Sequence, residues 1–445
     1  MPTESSRSPR RPYHPRSEAR RRRGADLLGL REASAMAIGG MIGGGIFSVL
    51  GVTIDLAGHL AFAAFLIGAA IAALTAHAYA RLALRSGRSG GPFTYLRDEG
   101  HPGPAAIVAW LLIVGYVFAL AVYAFTFGHY LAHLIGAPVL VARLAGVAVL
   151  VGFVAVNVRG VTTSGLVEDV VVLTKLTVLA GIAVVGLGML SPQRLSPLDN
   201  EGLLGVFLGA AVIFVAYEGF ELVPYDYDDI AEPRWALPRA LYISVGVVAL
   251  VYVGVTLASQ MLLPDATISA EKEVAFALVG EQALGGLGLW AATVGAVFST
   301  SSAINATLFS TARLVRDVSS ANELPSSLGR ERAGIPVVAI VWIALLGAGF
   351  SLLPGVTEIV SFGSLTFLLV FGLINLLHAR HTARPGWDRG LAYLGGLACC
   401  AAAGTLVYYL ARYDLAGLAL VGATFLLVAI ARAAFVARAP GPPAG

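Results

Sequence analysis

Charge is what this 445-residue chain has least of: 13% of its residues are Asp, Glu, Lys or Arg, against 57% hydrophobic, and its mean hydropathy is +0.79. A water-facing globular surface takes about a quarter of the residues charged, so soluble domains are excluded as the main architecture. Cysteine is nearly absent. Cys399 and Cys400 are adjacent in an apolar run, and helix neighbours point about 100° apart, so they read as small packing residues. Lysine is as scarce, with two against 28 arginines. The chain has no GxxxxGK[ST] phosphate loop and no HExxH, which disfavours ATP-driven transport and an intramembrane metalloenzyme. His129 and His133 are spaced i, i+4 without an acidic partner, so no metal and no cofactor is expected.

Apolar stretches are what the chain has in abundance. Twelve of them, long enough or nearly so to cross a ~30 Å hydrocarbon core at ~20 residues, the third, sixth and eighth projecting beyond it, lie at about 33–57, 60–84, 104–135, 138–157, 165–190, 202–230, 237–263, 282–318, 336–353, 355–378, 389–411 and 413–437. With the amino terminus inside, 25 of the 30 basic residues fall in inside segments, four outside, and Lys175 within a stretch. That bias predicts an even number of spans with both termini cytoplasmic. The net charge of +3 therefore reports topology, and no nucleic-acid partner is implied. Residues 1–31 read as a disordered basic tail that sets topology or touches anionic lipid, and the long apolar run behind it is not that of a cleaved secretory signal. Residues 438–445 read as a short cytoplasmic tail.

Chemistry is expected where the spans break. The first stretch has five glycines in seven positions, Gly39, Gly40, Gly43, Gly44 and Gly45, around Met41 and Ile42 and ahead of Ile46 and Phe47. At about 1 kcal/mol per glycine relative to alanine, a continuous helix is costly there. An unwound stretch would aim amides at a cavity, and such amides suit a carboxylate. The sixth stretch has Phe214, Val215, Ala216, Tyr217, Glu218, Gly219, Phe220 and Glu221, then Pro224. Two carboxyls in an apolar span face a pathway or a partner. Paired breaks five stretches apart point to a transporter binding site between two inverted halves: 32–190, holding stretches 1 to 5, and 202–381, holding 6 to 10, with two helices over 389–437 appended. Lys175 lies about ten residues into the fifth stretch, ~15 Å deep at 1.5 Å per residue. It reads as a proton-sensitive group, as a fixed positive charge in place of a bound cation, or as a structural lysine satisfied by carbonyls at the first break.

At these residues the sequence resembles the amino acid-polyamine-organocation transporters, from Leu30 to about Arg432. The likeness rests on Gly40 to Phe47, on Gly90-Gly91-Pro92-Phe93-Thr94-Tyr95, on Phe214 to Glu221, on Glu232-Pro233 with Leu237-Pro238-Arg239, and on Asn305 to Arg313. The resemblance implies an all-α integral membrane protein of twelve transmembrane helices with the LeuT-type fold, a five-plus-five inverted repeat with discontinuous helices 1 and 6. It further implies that the amides of Gly43, Gly44 and Gly45 hold a substrate carboxylate. Carbonyls near Met41 and from Val215 to Glu218 would then hold its amino group. Phe214, Tyr217 and Phe220 become pocket or gate residues, Glu221 a gating acid, Lys175 the replacement for a sodium ion, and Ser301 and Ser302 the remains of the sodium site. Many members have serine where this chain has Gly44, so one hydroxyl contact to the carboxylate is missing. Glu218 beside the site favours a cationic substrate or serves as a proton relay.

The expected function is secondary transport of an amino acid or related amine by alternating access, proton-linked, across the cell membrane as the default bilayer. Uncoupled exchange and polyamine transport are the runners-up, although a polyamine has no carboxylate for the amides. A non-transporting amino acid sensor is the reading from another class. It would be expected to carry a soluble output domain, for which the residues outside the apolar region leave no room.

Overall fold

The computed structural model describes residues 27–159, 165–189, 202–382 and 386–438. The basic tail up to residue 26, the segments carrying Arg194 and Arg384, and the carboxyl-terminal tail from 439 lie outside the described residues. Among those described the chain is helical, with two isolated β-bridges and no strand.

The helices follow in chain order: α1 Leu30–Met41, α2 Gly45–Ala57, α3 Ala61–Ser86, α4 Pro92–Asp98, α5 Pro102–Leu134, α6 Val139–Val158, α7 Gly165–Gly188 and α8 Leu203–Val212. Two 3-10 segments, Phe214–Tyr217 and Phe220–Asp229, come next. Then follow α9 Pro233–Leu262, α10 Asp265–Ala270, α11 Ala275–Leu284, α12 Gly286–Ser320, α13 Val337–Ser351, α14 Val356–His381, α15 Trp387–Tyr413 and α16 Leu415–Arg438. Proline opens α4, α5 and α9 at the first helical position, where its missing N–H costs no hydrogen bond.

By length and hydropathy nine described helices suffice to cross a bilayer, or ten when α8 and the 3-10 run after it count as one span bent by 57°. Burial sorts them. The apolar windows of α14 and α5 are 83% and 72% buried and make the centre of the bundle, whereas that of α16 is 6% buried. Leu426, Leu427 and Ile430 on α16 are all exposed. A face so apolar is stable against lipid chains and unstable against water, and the protein is a multi-pass membrane protein.

Two features position the breaks. Leu28, just ahead of α1, forms a parallel bridge with Ile230: its amide donates to Asp229 O at 2.8 Å, and Ala231 N donates to Leu28 O at 2.8 Å. The Gly90-Gly91-Pro92 segment docks on the same 3-10 run. Gly90 N donates to Pro224 O at 3.2 Å, and Ser89 and Asp228 exchange amide and side-chain bonds at 3.2 and 2.9 Å. A Cβ on Gly91 would stand 2.3 Å from the ring of Tyr225, so only glycine admits that tyrosine.

Candidate functional site

The first span breaks at Ile42-Gly43-Gly44, three residues in turn conformation between α1 and α2. Backbone bonds reach across it from Ile42 N to Ile38 O, Gly43 N to Gly40 O and Ser48 N to Gly44 O, at 2.9, 3.0 and 3.1 Å. The amides from Gly44 to Phe47 open α2 and are the orphan donors that the start of a helix leaves. Side chains from distant helices take the carbonyls. Lys175 Nζ on α7 donates to Gly39 O at 2.7 Å, Tyr252 Oη on α9 to Met41 O at 2.7 Å, and Tyr130 Oη on α5 to Phe47 O at 2.8 Å. Ser299 Oγ on α12 donates to Ile42 O. Lys175 is fully buried.

The second break has the same character. After α8 the chain runs as 3-10 helix from Phe214 to Tyr217, extends at Glu218 (φ −69°, ψ 147°), and turns at Gly219 with φ 125°. Ser364 on α14 closes the gap, its hydroxyl donating to Val212 O at 2.5 Å and accepting from Val215 N at 2.8 Å. One hydroxyl can do both because it has one donor and two acceptor sites. Glu221 Oε2 accepts the Gly219 amide at 2.7 Å, and Tyr116 Oη reaches Glu221 Oε1 at 3.4 Å. Tyr123 Oη donates to Glu218 Oε2 at 2.8 Å. Glu218 Oε1 is buried without a hydrogen-bond partner among the described residues, with Glu221 as its acidic neighbour.

The two breaks touch. A Cβ on Gly219 would lie 2.5 Å from Gly40 C and Met41 N, so the backbones meet with no side chain between them, and the positive φ of Gly219 also requires glycine. Tyr252 joins the pair from the side, its hydroxyl lying 3.0 Å from Ala216 O as well as 2.7 Å from Met41 O. Two tyrosines cover the glycines at the start of α2: a Cβ on Gly44, its N-cap, would stand 2.2 Å from the Tyr123 ring, and one on Gly45 2.4 Å from Tyr252 Oη. The result is a buried layer of open amides, carbonyls, two carboxyls and one ammonium in an otherwise apolar bundle.

The residues expected at the site divide into two groups. Met41 meets Gly219 and Gly45 meets Ala216 across the two breaks; Ile42, Gly43, Gly44 and Ile46 belong to the first break and the start of α2, Val215 and Glu218 to the second, with Lys175 bonded to Gly39 O and Glu221 to Gly219 N. The aromatic side chains turn elsewhere. Phe214 and Phe220 pack edge-on or tilted against Phe371 of α14, at ring separations of 5.9 and 5.5 Å, and Phe220 also meets Tyr79. Tyr217 sends its hydroxyl to Phe65 O on α3 at 2.7 Å, while its ring lies 5.4 Å from that of Tyr252 beside the breaks. From α12 the contacts with the first break come from Ser299 and from Ala303, whose Cβ would be 2.5 Å from a Cβ on Gly43. Ser301 and Ser302 are half-buried on the same helix, and Ser301 lies two residues, ~200°, round from Ser299. His129, one of the two histidines weighed for a metal, stacks on Phe125 and meets its carbonyl at 2.9 Å.

Sequence reasoning missed Tyr123, Tyr252, Ser299 and Ser364. Each is a single hydroxyl in a long apolar helix, and its partners lie far away in the chain. The one signal available was polarity at mid-span depth, which tyrosine and serine share with ordinary interhelical packing.

Paired interrupted spans with a polar layer between them define a membrane transport protein of the broken-helix kind. The comparison with known sequences names the group: residues 28–440 match the family described as amino acid permease, and the chain belongs to that family. It is 30% identical over 358 residues to an uncharacterized protein of Methanocaldococcus jannaschii, covering 79% of this chain and 82% of the relative. It is 27% identical over 382 residues to the methylthioribose transporter of Bacillus subtilis, covering 80% and 82%. With the L-asparagine permease of Streptomyces coelicolor it is 28% identical over 395 residues, covering 81% and 78%.

Proposed function

We propose that this protein is a secondary transporter that moves an amino acid across the cell membrane by alternating access, with proton movement coupled to flux. The observation that carries this reading is the buried ammonium of Lys175 on the carbonyl of Gly39, at the edge of the first break, 2.7 Å away. A cation fixed there holds the broken backbone in one arrangement, and loss of its proton weakens that hold. Glu218 and Glu221 supply two further buried groups able to exchange a proton.

The substrate follows from the donors and acceptors of the layer. The amides of Gly44 and Gly45 suit a carboxylate, whereas that of Gly43, expected beside them, is already donated to Gly40 O at 3.0 Å. The carbonyls of Met41 and Ala216, together with Glu218 Oε1, suit an ammonium, which carries three hydrogens where the Tyr252 hydroxyl carries one. Named relatives support a small polar organic substrate: one is a permease of L-asparagine, another a transporter of methylthioribose. The second has neither group of an amino acid in its name, so substrate class is the first thing to test.

The proposed architecture has twelve spans in two inverted halves, with both termini cytoplasmic. The ten spans counted by length become twelve when Gly45–Ser86 is folded in two at Gly58 and the short apolar helix Val337–Ser351 is added. At ~1.5 Å per residue a straight run of that length would be about 63 Å, twice the hydrocarbon core, and Gly58 has φ 52°.

The test is binding of an amino acid and polyamine panel to purified protein by thermal shift, then liposome uptake of each hit with and without an inward proton gradient. Uptake that rises with the gradient, and loses that response in Lys175→Ala, supports the proposal. Tight binding with no flux under any gradient overturns it and favours a sensor.

A further inference from the structure

Apart from the two breaks, three side chains from three helices bring metal-binding atoms together. They are His77 on α3, His378 near the end of α14 and Asp388 in the first turn of α15, and one ligand atom from each lies within 4.8 Å of the other two. His77 Nε2 is 2.5 Å from Asp388 Oδ1, and His378 Nε2 is 3.4 Å from the same oxygen. His378 is 5% exposed, and its Nε2 makes no hydrogen bond among the described residues. A buried imidazole nitrogen in that state costs stability unless a further partner takes it. Asp388 keeps 32% of its side chain exposed, so the cluster opens to solvent on one side.

We propose that His77 Nε2, His378 Nε2 and Asp388 Oδ1 form a binding site for a divalent transition-metal ion of the zinc type, with water in the remaining position. Two imidazoles and one carboxylate suit Zn²⁺, Ni²⁺ or Cu²⁺ and not the oxygen-seeking Mg²⁺ or Ca²⁺. Metal–ligand bonds of about 2.0–2.1 Å in a tetrahedron put ligand atoms ~3.3 Å apart. The His378–Asp388 separation already has that value, and the His77–Asp388 contact opens by about 0.8 Å to reach it. The outer shell is present too: Tyr242 Oη stands 2.6 Å from His77 Nδ1, the contact that orients a ligating imidazole and fixes its tautomer. Arg81 is the competitor, with Nε 3.2 Å from Asp388 Oδ1. Its side chain is 52% exposed and moves to the other carboxylate oxygen or to water when the metal arrives. A bound ion would pin α3 to the corner between α14 and α15. The site stands on this geometry alone and is independent of the substrate and coupling proposed above.

The test uses the full-length protein, purified in detergent without a polyhistidine tag and stripped of metal, titrated with Zn²⁺ against a chromophoric chelator. One ion per chain is expected, with binding weakened at least tenfold in His77→Gln and in Asp388→Asn. X-ray absorption at the zinc edge is expected to report nitrogen and oxygen neighbours with two imidazoles. Thermal unfolding without metal checks that each variant is folded, and Zn²⁺ should raise the unfolding temperature of the wild type alone. Wild-type binding no tighter than that of a folded His77→Gln variant, or sulfur from Cys399 and Cys400 in the metal's shell, overturns the assignment.

Discussion

The Tyr252 hydroxyl has one hydrogen and two carbonyls within reach, at 2.7 Å on the first break and 3.0 Å on the second. Removing it leaves both carbonyls short of a donor in a buried layer. Tyr252→Phe keeps the ring and its packing on Phe65, so the loss is confined to the hydrogen bonds. The expected cost is about 1–3 kcal/mol, read as a lower denaturant midpoint in detergent. If the midpoint is unchanged, the hydroxyl does not hold the breaks together. At this scale the sequence was legible where a residue breaks a rule of its surroundings. Five glycines clustered in one span, and carboxyls at Glu218 and Glu221, are costly in lipid and so announce themselves. Tyr252 breaks no rule, because a tyrosine in a long apolar helix is ordinary. Its role depends on partners 211 and 36 residues away, and no local pattern encodes that pairing.

Elements were read well in kind and less well in detail. Hydropathy located the spans because each backbone polar group in lipid must be satisfied within its own helix, which leaves long apolar runs as the only solution. The form of the second break was not legible. Its acidic pair pointed to an interruption, whereas the switch to 3-10 geometry from Phe214 onward depends on α14 presenting Ser364 to the gap. Ser364→Ala removes a donor from Val212 O and an acceptor from Val215 N together. Faster amide hydrogen exchange is expected over 212–217, with the rest of α8 and α14 unchanged. Equal protection in the variant would mean that packing alone holds this bend. The aromatic residues of the sixth span mark the same limit: their number suggested a pocket, but direction decides, and Phe214 and Phe220 point into the cluster around Phe371.

At the scale of the molecule, α5 has 33 residues, about 50 Å at ~1.5 Å each, so its two ends belong on opposite faces of the membrane. His101 and Ile135 flank it and are both exposed. In a background with Cys399→Ala and Cys400→Ala, His101→Cys is expected to react with an impermeant thiol reagent from the cytoplasmic side only, and Ile135→Cys from the opposite side only. Both reacting from one face would overturn the proposed topology. That orientation was read from where the arginines fall, and the membrane itself, acting as solvent, makes charge placement so informative.

The bridge between Leu28 and Ile230 sets an order of assembly. Its two partners are about 200 residues apart, and closing a loop of that size carries an entropic cost that must be met before the contact returns anything. The pairing cannot form while the chain between them is still being made. It closes a ring around the whole first half of the protein, and it does so at the base of both broken spans. Helices α2 to α8 are therefore already synthesised when the first span is fastened to the sixth, and the polar layer at the breaks cannot be completed until the chain has passed residue 230.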